Sequence, residues 1–306
     1  MLNIIRLNKV VIGFILIFSS ITIGQVTQDF IPYSLNTNQN IERASIVLPT
    51  IDVERILAED EKRTHSTVLR FGHEHEVNHN FLEEAIQSIH NDGQIFLMQY
   101  FSYDAFAMRA IFEPFYLPEG VNMYVYNNDM SQIEGAYTSD NNNNASYFST
   151  PLVEGERVII ELNVEEGVIL DDIQLNVSTI IHDYLGITQM MENNFGSRQC
   201  GNDIMCEEAE PYIDQINSTA YLEMGWGICT GAMVNNMNED LTPYFLSARH
   251  CTYNENPQGF RFYFNYYRDG CNEGPNIQGQ YAYSSIVRAD CDCHPIGGAP
   301  ILFCLK

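Results

Sequence analysis

Two stretches of this sequence gather residue types that can do chemistry. The first runs Cys229-Thr230-Gly231-Ala232-Met233-Val234 and, after a polar loop, Tyr244-Phe245-Leu246-Ser247-Ala248-Arg249-His250-Cys251. Two apolar runs joined by a polar loop read as paired strands bracketed by cysteines. A bridge between Cys229 and Cys251 would close a loop of about 20 residues and contribute roughly 3 kcal/mol by chain entropy. It would also pin His250 at a strand end, where a rigid imidazole is well placed to act as a general base. The second stretch is His75-Glu76-Val77-Asn78-His79, which fits H-E-x-x-H. On a helix that spacing puts two zinc-ligating histidines one turn apart, beside a glutamate base. Here the segment is polar on all sides, Phe71-Gly72 breaks any helix before it, and no third ligand follows downstream. A zinc centre through His75, Glu76 and His79 is therefore the minor alternative, and no metal or other cofactor is expected. Cys291-Asp292-Cys293-His294 also holds ligand-type residues, but it is one packed cluster without a partner pair.

The elements that must position these groups fall into two regions. From about Thr67 to Val177, short runs rich in Ile, Val, Tyr and Phe alternate with polar turns such as Pro118-Glu119-Gly120 and Asn127-Asn128-Asp129. That pattern predicts an antiparallel β-sandwich. A short helix is expected from Asp52 to Lys62, and a helical turn or two from Phe81 to His90. Beyond Gly196, strand-like runs at 220–222, 227–234, 244–247 and 260–267 predict part of a β-barrel. The fold class is all-β.

All eight cysteines lie between Cys200 and Cys304. Disulfides persist after export, so the C-terminal region is expected to be bridged and the N-terminal one unbridged. Met1 to Lys9 carry Arg6 and Lys9 with no acid, and an apolar run from Val10 to Ile23 follows. A basic start, a short apolar run and small residues at its exit describe a signal peptide over residues 1–24, hence a secreted product. The run is shorter than the roughly 20 apolar residues that span a bilayer, so no membrane association is expected once the signal is cleaved. The formal charge is −25, from 40 acids against 15 bases. Such a field repels phosphate backbones and excludes nucleic acid as a natural partner.

The Cys229–Cys251 segment resembles the histidine region of trypsin-like serine peptidases, in which one cysteine opens a C-x-G-x-[LMV]-[VI] strand and another closes an A-x-H-C strand end. Asn235-Asn236 and the loop before Tyr244-Phe245-Leu246 bring it closest to the lysyl endopeptidases. Ser247 stands where that family usually has threonine. Cys200-Gly201-Asn202-Asp203-Ile204-Met205-Cys206 resembles the paired cysteines at the family's mature N-terminus, and Tyr263-Phe264-Asn265-Tyr266 with Cys271 its next strand and third cysteine. Upstream, Arg70-Phe71-Gly72, Phe115 to Gly120 and His182-Asp183-Tyr184 resemble the family's propeptide.

The resemblance implies Cys229–Cys251 and Cys206–Cys271 bridges, and His250 as general base. It implies a signal peptide at 1–24, a β-sandwich propeptide at 25–195 and an N-terminal barrel at 196–290, with an aberrant tail at 291–306. Protein or peptide substrates, a monomeric state and processing near Phe195 to Arg198 follow from the same likeness. The triad also needs a carboxylate and a serine. Asp290 and Asp292 lack the Asp-Phe strand that the family places there. Gly297-Gly298-Ala299-Pro300 is only a faint echo of Gly-x-Ser-Gly-x-Pro, with Gly297 in the nucleophile's place. A truncated, inactive chain is the resulting expectation. A non-enzymatic secreted β-sandwich that binds or inhibits a relative is the alternative.

Overall fold

The computed structural model describes residues 31–36, 41–62, 68–90, 93–192, 203–252, 255–271, 273–277, 280–290 and 300–305. The expected signal peptide, the processing region with Arg198 and Cys200, and Cys291, Cys293, His294 and Gly297 lie outside them. The protein is mostly β, as its sequence predicts.

Among the described residues, twelve strands come before the cysteine-bearing region: β1 Ala44–Val47, β2 Leu69–Arg70, β3 Gly72–Asn80, β4 Ile86–His90, β5 Gly93–Phe101, β6 Ala107–Tyr116, β7 Val121–Tyr126, β8 Ile133–Tyr137, β9 Phe148–Ser149, β10 Val153–Glu154, β11 Arg157–Glu165 and β12 Gln174–Asp183. One sheet runs β1-β5-β11-β7-β8 with β4 on β5; the other runs β10-β6-β12-β3 with β9 on β6. Period-2 alternation explains the packing. Phe96, Met98 and Tyr100 of β5 and Val158, Ile160 and Leu162 of β11 meet Met108, Ala110, Phe112 and Ile180 of the facing sheet in one buried core. The opposite face of the first sheet is also covered. Buried Glu161 accepts from the Tyr126 hydroxyl (2.8 Å), the Asn163 amide (2.7 Å) and the Ser34 N–H (3.0 Å). The outer face of the second sheet, carrying Arg109, Ile111 and Ile181, is buried as well.

The helix α1 spans Val53–Lys62, with the Asp52 carboxylate accepting the Arg55 N–H at 3.0 Å, a first-turn cap. Phe81–Glu84 forms a single turn, α2. The chain then extends into β4 where the sequence suggested more helix, because Ile86–His90 pairs along β5. Asp183 closes β12 and starts α3, Ile187–Glu192, by accepting the N–H groups of Leu185, Gly186 and Ile187 at 2.8–2.9 Å.

The C-terminal region opens on α4, Ile213–Ser218. It continues through β13 Thr219–Glu223, β14 Gly227–Val234, β15 Tyr244–Ala248, β16 Arg261–Phe264, β17 Tyr267–Gly270, β18 Glu273–Ile277, β19 Tyr281–Tyr283, β20 Ser285–Asp290 and β21 Pro300–Leu305. These form a half-barrel sheet in the order β19-β16-β13-β14-β15-β21-β20, with β17-β18 as a separate ribbon. Leu222, Phe245, Phe260, Phe262 and Phe303 fill its core. Residues 300–305, within the segment set apart as a tail, supply β21, which pairs with both β15 and β20 and buries Ile301 and Phe303. The N-terminal region lends a strand in return: β2 pairs antiparallel with Gly227–Ile228, on the part of β14 that β15 does not reach.

Candidate active site

The histidine segment is built by the β14–β15 hairpin. Gly231 is required there by close approach: a Cβ would lie 2.4 Å from both the Leu246 carbonyl oxygen and the Phe245 ring. Ser247 is buried, and its hydroxyl donates to the Thr230 carbonyl at 2.8 Å, tying the two strands together beside the cysteines. The chain then leaves β15 in a 3-10 turn, Arg249–Thr252, held by the Thr252 hydroxyl donating to the Arg249 carbonyl at 2.9 Å. Cys229 is joined to Cys251, and Cys206 to Cys271. His250 is half-buried in this turn, next to the first bridge.

Cys229, His250 and Cys251 bring ligand-type atoms within 4.8 Å of one another. Both sulfurs are consumed by the bridge, however, and a thiolate is what ligates metal. Asp290, at the end of β20, reaches the same turn, with the Arg249 Nε 2.9 Å from its Oδ1. Arg249 and Asp290 are each more than a third exposed, so the pair adds little stability. It does commit the nearest expected carboxylate to the guanidinium of His250's neighbour.

The H-E-x-x-H motif lies on strand β3 and not on a helix. Alternation sends His73, His75, Val77 and His79 inward and Glu76 outward, so Glu76 does not share the histidines' face. His79 Nδ1 is 3.0 Å from the Tyr100 hydroxyl, whereas His75 packs against His73 and His182 with ring centroids at 4.9 and 6.3 Å. The helical zinc geometry is therefore not formed. Instead His75 and His182 are buried between the sheets, and neither Nε2 has a hydrogen-bond partner among the described residues; His182 Nδ1 is 2.7 Å from the Ser102 hydroxyl. Burial, reinforced by neighbouring imidazoles, pushes both down to about 4.

Sequence reading missed a second charged cluster, where the two regions meet. Arg109 of β6 is fully buried and donates to the Glu223 carboxylate of β13 and to the Met224 carbonyl at 2.9 Å. Arg261 of β16, also fully buried, donates to the Ser149 carbonyl and lies 5.0 Å from the Tyr283 ring centroid. Glu255 stands close by, its carboxyl pushed up to about 7 by burial and by the charge of Glu74. The available signal was a lone charge inside an apolar strand, as in Ala-Met-Arg-Ala-Ile-Phe and Arg-Phe-Tyr-Phe. Nothing local could pair charges 114 residues apart.

Residues 195–292 match the family model described as "Lysyl endopeptidase, C-terminal domain". The match covers about a third of the chain and includes the hairpin, the four bridged cysteines and His250. It supports a lysyl endopeptidase-related, and hence peptidase-related, protein. No helix among the described residues is long and apolar enough to cross a membrane.

Proposed function

We propose that the chain is a secreted precursor of a lysyl endopeptidase-type serine peptidase, with a sandwich propeptide followed by the first barrel of the catalytic unit. The carrying observation is His250: it sits at a strand end beside the Cys229–Cys251 bridge, within the segment that matches the family model. In this reading His250 is the general base that takes the proton of a serine hydroxyl as it attacks a peptide carbonyl. A neighbouring carboxylate must hold the imidazole's tautomer. Asp290 pairs with Arg249, the neighbour of His250. The two bridges fit an oxidising compartment, in line with export.

These residues as they stand are therefore expected to hydrolyse no peptide bond, because the reading finds neither a serine in a Gly-x-Ser-Gly setting nor a triad aspartate. The test is to incubate the purified, oxidised chain with lysine-containing peptides and follow cleavage by mass spectrometry. Turnover equal to that of a His250→Ala variant, both at background, is the expected result. Turnover that His250→Ala abolishes would show that a nucleophile is already present and would overturn the inactive part of the reading.

A further inference from the structure

We infer that the half-barrel carries a docking surface for the N-terminal sandwich that holds without a covalent link, so that the two remain one complex after the chain between them is cut. Three kinds of contact converge there. The first is backbone pairing: the N–H groups of Phe71 and Gly72 donate to the Trp226 carbonyl at 2.9 and 3.0 Å, continuing the β2–β14 ladder. An edge strand satisfied in this way is a recurrent mode of recognition between separate chains. The second is apolar: Phe71, Ile111, Tyr147, Ile181 and Ile187 form a buried cluster against which Ile228 of the half-barrel packs. On a separated sandwich, much of that surface would face water.

The third kind gives specificity. Arg109 reaches across to three acceptors within residues 223–225: the Glu223 carboxylate and the carbonyls of Met224 and Gly225. In the opposite direction Arg261 reaches back to the Ser149 carbonyl, and the Tyr283 hydroxyl accepts the Ser149 N–H at 2.9 Å. Each partner therefore offers a buried guanidinium to the other's acceptors. A guanidinium at this depth is tolerable only with its acceptors in place. Any other apolar surface would leave Arg109 desolvated and unpaired, and Glu223 with only the looser contacts to Arg261 (3.9 Å) and Tyr221 (3.4 Å) of its own region, so the arrangement selects this sandwich over other occupants. The inference concerns binding alone and stands independently of the peptidase reading.

The experiment uses the full chain, oxidised, with a site-specific protease sequence placed within residues 193–202. After complete cutting, size-exclusion chromatography at micromolar concentration and a dilution series are expected to show both pieces co-eluting at the size of the uncut chain. Arg109→Leu, whose fold is checked by circular dichroism before cutting, is expected to weaken the cut complex by at least about 30-fold, the loss typical of breaking a buried charged pair. Tyr283→Phe removes a single acceptor without opening a cavity and is expected to weaken it by only about 5-fold. Three results would each overturn the inference: separation of the unaltered pieces on cutting, elution at twice the size through exchange with a second copy, or cut variants that bind as tightly as the parent.

Discussion

The sandwich and the half-barrel are both antiparallel β, yet they hold together by different means. The sandwich has two sheets to close on each other, and Phe112, Phe115 and Phe148 stack inside it without a single cysteine. The half-barrel has one main sheet and a smaller core around Phe245, Phe262 and Phe303, and among the described residues it is bridged twice. A sheet with no partner sheet cannot enclose its own apolar face. It therefore relies on covalent constraint and, along β14 and β13, on the neighbouring sandwich. His250, the proposed general base, sits in the part that depends most on outside support, while the part with the firmer core carries no residue assigned to the proposed reaction.

The sharpest way to break this contrast is to remove the bridges. Replacing all four cysteines with serine is expected to destabilise the half-barrel by about 4 kcal/mol for the longer Cys206–Cys271 loop and about 3 kcal/mol for Cys229–Cys251. Trp226, the single tryptophan, lies in the half-barrel and reports its unfolding in urea. Its transition should move to lower urea, while far-ultraviolet dichroism retains a later sandwich transition. Phe112→Ala attacks the other side and is expected to cost about 3–5 kcal/mol, moving the sandwich transition first.

Acid provides a finer test, because His75 and His182 lie inside the sandwich. Both stay neutral in the folded protein down to about pH 4, whereas unfolded imidazoles bind protons below about pH 6.5. The unfolded state thus holds more protons between those values. The stability these residues permit is fully present above pH 6.5 and is lost as pH falls towards 4. Arg70 and Arg55 oppose charge on the neighbouring His73, while Asp104 favours it on His182. Asp183 and Glu255, pushed up to about 6 and 7 by burial, act in the opposite sense and gain stability on acidification. The histidine contribution therefore has to be read as a difference. A His75→Gln, His182→Gln variant should lose roughly 4 kcal/mol less than the parent between pH 7 and pH 5 in urea titrations. The smallest expected effect is at a sandwich loop: Thr138→Ala removes the hydroxyl that accepts the Asp140 N–H, for about 1 kcal/mol by thermal unfolding.

Much of the sandwich was legible because β5, β6, β11 and β12 are dense apolar runs. Strand β3 was not, since Gly-His-Glu-His-Glu-Val-Asn-His-Asn carries a single apolar side chain. Its pairing with β12 overrides a composition that reads as loop or as a metal motif. At the candidate site, the cysteine spacing and the A-R-H-C end could be read directly, because hairpin and bridge are local to 22 residues. The Arg109–Glu223 contact could not, because its partners lie in different regions and neither strand announces which face will be covered.

The most direct test of the central claim, that His250 occupies the general-base position of a serine peptidase barrel, is a complementation. Residues 1–290 would be joined to the second barrel of an active lysyl endopeptidase, which supplies serine and pocket, together with its own aspartate strand. Cleavage after lysine is then measured with His250 intact and as His250→Ala. The account predicts lysine-specific turnover that falls by three or more orders of magnitude in the variant. Equal turnover in the two chimeras, or no turnover from a folded chimera with His250 intact, would contradict it.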